Sequence, residues 1–153
     1  MCKRMKWNTT KFHQLTPDQL YDILKLRVNI FVVEQKCPYP ELDDKDRHVE
    51  TRHITAYDDS RLIAYTRLLP PGLSYPDISV GRFAVEPSAR NQGTGSLLME
   101  KTLEEIDKIW PDKPIRISAQ IHLSKFYEKF GFIIVSDSYL EDGIPHIEML
   151  KEQ

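Results

Sequence analysis

Val80-Gly81-Arg82-Phe83-Ala84-Val85-Glu86-Pro87-Ser88-Ala89-Arg90-Asn91-Gln92-Gly93-Thr94-Gly95-Ser96 is the stretch on which the fold turns. Its first half reads as a strand over 78–85, closed by Pro87. From Gly93 a helix follows, with Met99, Leu103, Ile106 and Trp110 spaced four, three and four apart, and Pro111 stops it. Glycines where a helix opens let the backbone approach a ligand closely and turn several amide N–H groups toward one point. The helix dipole adds positive potential there, so the place favours an anion such as a phosphate. Arg90 supplies a permanent positive charge able to grip two oxygens at once. Two other phosphate loops fit poorly. A Walker A loop wants Lys and then Ser or Thr after its last glycine, but Gly95 is followed by Ser96-Leu97; a dinucleotide fingerprint wants glycine where Leu98 stands. Taken alone, Gly93 and Gly95 fit equally a plain tight turn between strand and helix.

Working outward, Thr16-Pro17-Asp18-Gln19 carries a helix start: Thr16 caps, Pro17 fits the first position and Gln19 completes a capping box. Leu20, Ile23, Leu24, Arg27, Val28 and Phe31 recur at helical spacing, which predicts a helix over 17–32. An irregular, proline-containing stretch follows, running into the acidic Asp43-Asp44-Lys45-Asp46. Residues 53–57 and 61–69 read as a hairpin about Asp58-Asp59-Ser60. A short strand over 115–118, a helix over 123–130 capped by Gly131, and antiparallel strands over 132–135 and 147–150 complete the chain. A leading hairpin with later alternation of strand and helix predicts a mixed sheet with helices on both faces, of α/β (mixed α+β) class.

At 153 residues, 41% hydrophobic and 29% charged, the chain suits one domain over 1–153 with one real core. A net charge of −2, with scattered basic residues, gives no electrostatic case for nucleic acid. No apolar run reaches the ~20 residues that span a bilayer, and no apolar signal core follows the polar Met1-Cys2-Lys3-Arg4. Cys2 and Cys37 make no disulfide framework, and free thiols suit a cytoplasmic setting. Cys37, His48, His53 and His146 lack the compact intervals of a zinc site, so no metal is expected. A nucleophilic Cys37 with His48 or His53 as its base is weaker than a bystander thiol. Aromatics near Trp7, Phe12 and Tyr139 are candidates for a homodimer surface or for local packing.

Read with its flanks, Arg90-x-x-Gly93-x-Gly95 after an apolar strand resembles the coenzyme A pyrophosphate loop of the GNAT superfamily of N-acetyltransferases. Ala119-Gln120-Ile121-His122-Leu123-Ser124-Lys125-Phe126-Tyr127-Glu128-Lys129-Phe130-Gly131-Phe132 looks like that superfamily's second signature, in the expected order and separation. Leu26-Arg27, Phe31-Val32-Val33-Glu34-Gln35, Cys37-Pro38-Tyr39, the run from Ala64 to Gly72 and Asp142-Gly143-Ile144-Pro145-His146-Ile147 resemble its ElaA-type branch, so the resemblance covers nearly the whole chain. It implies a mostly antiparallel, twisted sheet flanked by helices, and direct transfer of an acetyl group from acetyl-coenzyme A to an amine. The cofactor-binding residues it implies are Arg90, Asn91, Gln92, Gly93, Thr94, Gly95 and Ser96, the strand edge at Phe83, Ala84 and Val85, and Gln120. Gln120 stands where an Asn is frequent, and Asn91 where Gly is common; Asn tolerates a left-handed backbone.

The same resemblance makes Tyr127 the general acid for the leaving thiolate, since a phenol near pKa 10 matches a thiolate's basicity. The base is open among Glu34, Glu41, Asp43, His53, His146 and a bound water. Glu34 leads because it follows an apolar run where burial would raise its pKa. The acidic residues from Glu41 to Asp46 hint at a cationic acceptor: a polyamine, an aminosugar or a lysine-like amine. Transfer of a longer acyl group, or a non-catalytic coenzyme A-binding module, are the alternatives.

Overall fold

The computed structural model describes residues 5–153, so Cys2 lies outside the described residues. An eight-stranded sheet runs in the order β1-β2-β3-β4-β5-β8-β6, with β7 also paired to β8. Its strands are β1 Lys6–Thr10, β2 Arg52–Asp58, β3 Arg61–Leu69, β4 Ile78–Val85, β5 Ile115–Gln120, β6 Ile133–Ile134, β7 Tyr139–Glu141 and β8 Ile144–Lys151. All pairs are antiparallel except β4–β5, joined through helix α2 (Thr94–Ile109). On β3, every residue from Leu62 to Leu69 is buried, the pattern of a strand covered on both faces. One cluster packs Leu98, Met99 and Ile106 of α2 against Ile54, Leu68, Ile78 and Ile115. The other packs Ile23 and Leu26 of helix α1 (Pro17–Arg27) against Leu62, Tyr65 and Ala84. The mixed sheet with helices on both faces is as expected.

Three elements differ from the sequence reading. The α-helix that opens on the Thr16–Gln19 capping box ends at Arg27, and Val28–Glu34 continues as a π-helix with Gln35 N bonding Ile30 O at 3.1 Å and Cys37 N bonding Val32 O at 3.0 Å. Val28, Ile30, Val32 and Val33 are β-branched, which weakens α-helical geometry, and wide turns of this kind gather at functional sites. Strands β1 and β7 are additional. β7 turns into β8 through Asp142 (φ 51°) and Gly143 (φ 79°), the paired left-handed residues of a tight hairpin, and an Asp-Gly dipeptide is the signal that marks it.

The segment between the π-helix and β2 is held by charge. Arg27, fully buried, gives Nε and Nη2 to Glu41 Oε2 (3.0 and 2.9 Å) and Nη1 to Asp46 Oδ1 (2.6 Å). Arg67 on β3 pairs with both oxygens of Asp43 (2.7 and 2.9 Å) and with Asp46 (3.1 Å). Arg82 on β4 reaches Glu41 at 2.6 Å, and Tyr39 donates its hydroxyl to the same carboxylate. Three arginines from three elements thus balance three carboxylates of one segment. The acidic run is not a solvated face, and the hint of a cationic acceptor drawn from it falls with its charge neutralised.

Of the aromatics considered for a dimer, Trp7 packs on the α2-side cluster and Tyr139 stacks on His146. Removing one partner from a buried ion pair strands the other, at a cost of about 3–5 kcal/mol. Arg27→Met should therefore lose about that much in urea unfolding, and a change below about 1 kcal/mol would show that the cluster does not hold the segment. Burial pushes Asp43 up, but the hydrogen bonds and charge of Arg67, with Arg82, outweigh it and bring the carboxyl from 3.8 to about 2. A depressed folded pKa stabilises fully above the ordinary value, and the gain is lost as pH falls toward the folded one. Stability should thus decline between about pH 4 and pH 2, and Asp43→Asn should flatten that part of the urea–pH profile.

Candidate active site

The sheet splits where the site lies. β4 and β5 pair only at Ile78–Ile115 and Ser79–Arg116; beyond these β5 stays with β8, and the edge of β4 from Val80 onward faces a cleft. A β-bulge between Tyr65 and Arg67 opposite β4 bends the edge further. There Arg82 takes φ 51°, a left-handed conformation unusual for a residue with a Cβ, and Thr66 donates its hydroxyl to Gly81 O at 2.9 Å. Into the cleft opens a cavity of about 960 Å³ whose walls include the β4 edge at Phe83, Ala84 and Val85. Arg90, Asn91, Gly95, Gln120 and Tyr127 line it too.

The loop after β4 fits an anion. Asn91 sits at φ 62° and Gly93 at φ 80°, so the loop uses the left-handed conformations that Asn and Gly tolerate. Leu97 N closes the first turn of α2, onto Gly93 O at 3.1 Å, so the amides of Thr94, Gly95 and Ser96 lie in the first turn, where an α-helix leaves them without partners of its own. A Cβ added at Gly95 would meet only the Phe126 ring, at 3.9 Å. Nothing within the chain demands glycine there, and its bareness leaves room for a ligand against the backbone.

Tyr127, on helix α3 (Ser124–Glu128), stands edge-on to Phe83, Phe126 and Phe132 with centroids 6.3, 5.3 and 6.1 Å away. These rings bury it to 8% exposure, and that burial pushes the phenol up to about 12, so it keeps its proton near neutrality. Among the described residues no group takes its hydroxyl in a hydrogen bond, and the residue lines the cavity. A tyrosine kept for structure alone would satisfy that hydroxyl on the backbone. Gln120, the last residue of β5, lines the same cavity.

Glu34 does not have the environment expected of it. Its carboxylate forms a forked pair with Arg90, Oε2 to Nη1 and Oε1 to Nη2, both at 2.7 Å. Those hydrogen bonds hold it below the usual carboxylate range, against a small upward push from burial. The side chain is 41% exposed, so burial is too slight to make it basic. Arg90 in turn is committed, its Nε donating to Val85 O at 3.0 Å, rather than free to grip phosphates as expected. Its geometry ties the end of β4 to the π-helix.

The other candidate bases separate cleanly. Glu41 and Asp43 belong to the arginine cluster. Buried His53 donates from Nε2 to Asp46 O (3.0 Å) and faces the Tyr65 hydroxyl through Nδ1 (2.7 Å), and burial lowers its pKa. It is a core histidine. His146 alone both lines the cavity and stands outside that cluster. Cys37 is buried and free, its thiol donating to Asp142 O at 3.2 Å, with no histidine partner. Glu141, beside His146, has no role in the sequence reading; the Asp142-Gly143 turn was the only mark of its position.

The family model described as an acetyltransferase (GNAT) domain matches residues 29–153. Protein ElaA of Escherichia coli is 43% identical over 148 residues, 97% of each chain. The crystal structure of E. coli ElaA superposes with a TM-score of 0.93 at 42% identity, covering 97% of this chain and 100% of that one. An acyl-CoA N-acyltransferase from Pseudomonas aeruginosa gives the same TM-score and identity, covering 97% and 99%. A split sheet with a glycine loop at its mouth thus comes with kinship over nearly the full length, and the chain belongs to the GNAT family as an acyl-CoA-dependent N-acyltransferase.

Proposed function

We propose that the protein transfers an acetyl group from acetyl-coenzyme A directly to a primary amine of a small molecule or peptide. The observation that carries the reading is that one cavity joins a glycine loop opening a helix, an unpaired strand edge and Tyr127. Amides of residues 91–96 receive the pyrophosphate. The β4 edge at Phe83, Ala84 and Val85 takes the pantetheine amides as an added strand would, with Gln120 across the cleft. An amide near Ala84 or Val85 stabilises the oxyanion as the amine attacks. Tyr127 gives its proton to the departing thiolate; raised above the thiolate's own range it donates only as the sulfur's charge develops, which ties proton transfer to bond breaking. Arg90, paired with Glu34, holds the loop against β4, and no metal enters the step. A free Cys37 accords with work in the cytoplasm.

Isothermal titration with acetyl-coenzyme A, then thiol release with spermidine, glucosamine and lysine amide, tests the reading, and propionyl- and succinyl-coenzyme A in the same assay separate acyl preferences. Absence of binding would sink it. Tyr127→Phe should lower kcat about 100-fold while the coenzyme A Kd stays within about twofold; an unchanged rate would remove the acid from Tyr127. Gly95→Glu places a carboxylate where the loop amides converge and should abolish binding. Unchanged affinity in that variant would take the phosphate role away from the loop.

A further inference from the structure

His146 lies on β8 directly across from Gln120 of β5, and both line the cavity that holds Tyr127. Its Nδ1 is 2.7 Å from Ile144 O. A carbonyl oxygen only accepts, so the Nδ1 position carries the proton and the lone pair of the neutral ring is on Nε2. At 3.3 Å from Nε2 stands Oε2 of Glu141. That carboxylate is near enough for its charge to stabilise an imidazolium. The carboxylate is positioned from behind: Ser118 Oγ, which meets the Tyr139 hydroxyl at 2.5 Å, reaches Glu141 Oε1 at 3.4 Å. The Tyr139 ring stacks on the imidazole with centroids 6.3 Å apart and planes 24° from parallel. The Cys37 thiol pins Asp142 in the turn joining β7 to β8. Among the described residues the titratable side chains paired with or stacked on the ring are Glu141 and Tyr139 of β7, while β5 sets Gln120 opposite it.

We infer that His146, with Glu141 beside it, is the proton acceptor for the attacking amine. The inference rests on the N-acyl transfer reading above. An ammonium passes one proton to Nε2, and Glu141 stabilises the imidazolium. The freed nitrogen pair forms the C–N bond to the thioester carbonyl. The C–S bond breaks with its electron pair on sulfur, which is protonated by Tyr127. The second nitrogen proton makes good the loss at Tyr127, and the imidazolium returns its own to water, so each turnover of an ammonium releases one proton.

His146→Asn tests this with little threat to folding, since an Asn amide nitrogen can replace Nδ1 in donating to Ile144 O. With the fastest amine of the panel above as probe, its kcat/KM at pH 7 should fall about 100-fold, and the coenzyme A Kd should not move. The deficit should shrink as pH rises, because more of the amine then arrives already neutral. Glu141→Gln should show a smaller loss in the same direction. Long-range proton–nitrogen NMR on the wild-type protein should show the neutral His146 ring with its proton on Nδ1. A His146→Asn variant with wild-type rates, a deficit that does not change with pH, or the opposite tautomer would each overturn the inference. Wild-type protein that binds no coenzyme A or releases no thiol fails the transfer reading instead, and the inference with it.

Discussion

A backbone hydrogen bond that is not made governs this molecule. Strand edges carry polar groups that seek partners, and a buried edge left open is costly. Here β4 and β5 share two register pairs and then part, β5 staying with β8 while β4 is bent by the bulge at Arg82. Everything at the site is arranged about that gap. The glycine loop stands at its mouth, the rings of Phe83, Phe126 and Tyr127 fill its floor, and β8 supplies the far wall with His146. Opening a parallel pair in this way leaves a strand edge that suits the amides of a linear substrate.

The residues nearest the gap were legible from sequence because their chemistry is local. A glycine loop at a helix start and a capping box at Thr16 each follow from a few adjacent side chains, a left-handed Asn91 from the family resemblance, and each stands as read. Charge partners were not legible. Glu34 looked basic because its neighbours in sequence are apolar, yet the group that decides its titration is Arg90, 56 residues on. The run from Glu41 to Asp46 hinted at a cationic acceptor, yet Arg27, Arg67 and Arg82 come to it from α1, β3 and β4. The Glu141–His146 contact depends on a hairpin whose Asp142-Gly143 signal was in plain view, though the short β7 beside it has no apolar alternation.

Two kinds of electrostatic order meet in the cavity. On one wall every carboxylate of the 41–46 segment that faces the sheet is matched by an arginine, and the matched set has little net field to offer a ligand. Elsewhere in the lining Glu141 stands by His146, and there the proposed transfer would pass a proton.

Arg82 joins both themes. Its left-handed backbone opens the cleft, and its guanidinium is anchored to Glu41, the carboxylate that also holds Arg27. Replacing buried ion pairs by apolar side chains is a common route to a firmer core. Along that route this protein would lose the anchor of its own bulge. Gains in robustness and the shape of the substrate cleft are therefore inherited together, and lineages of this fold are not free to improve one while leaving the other alone.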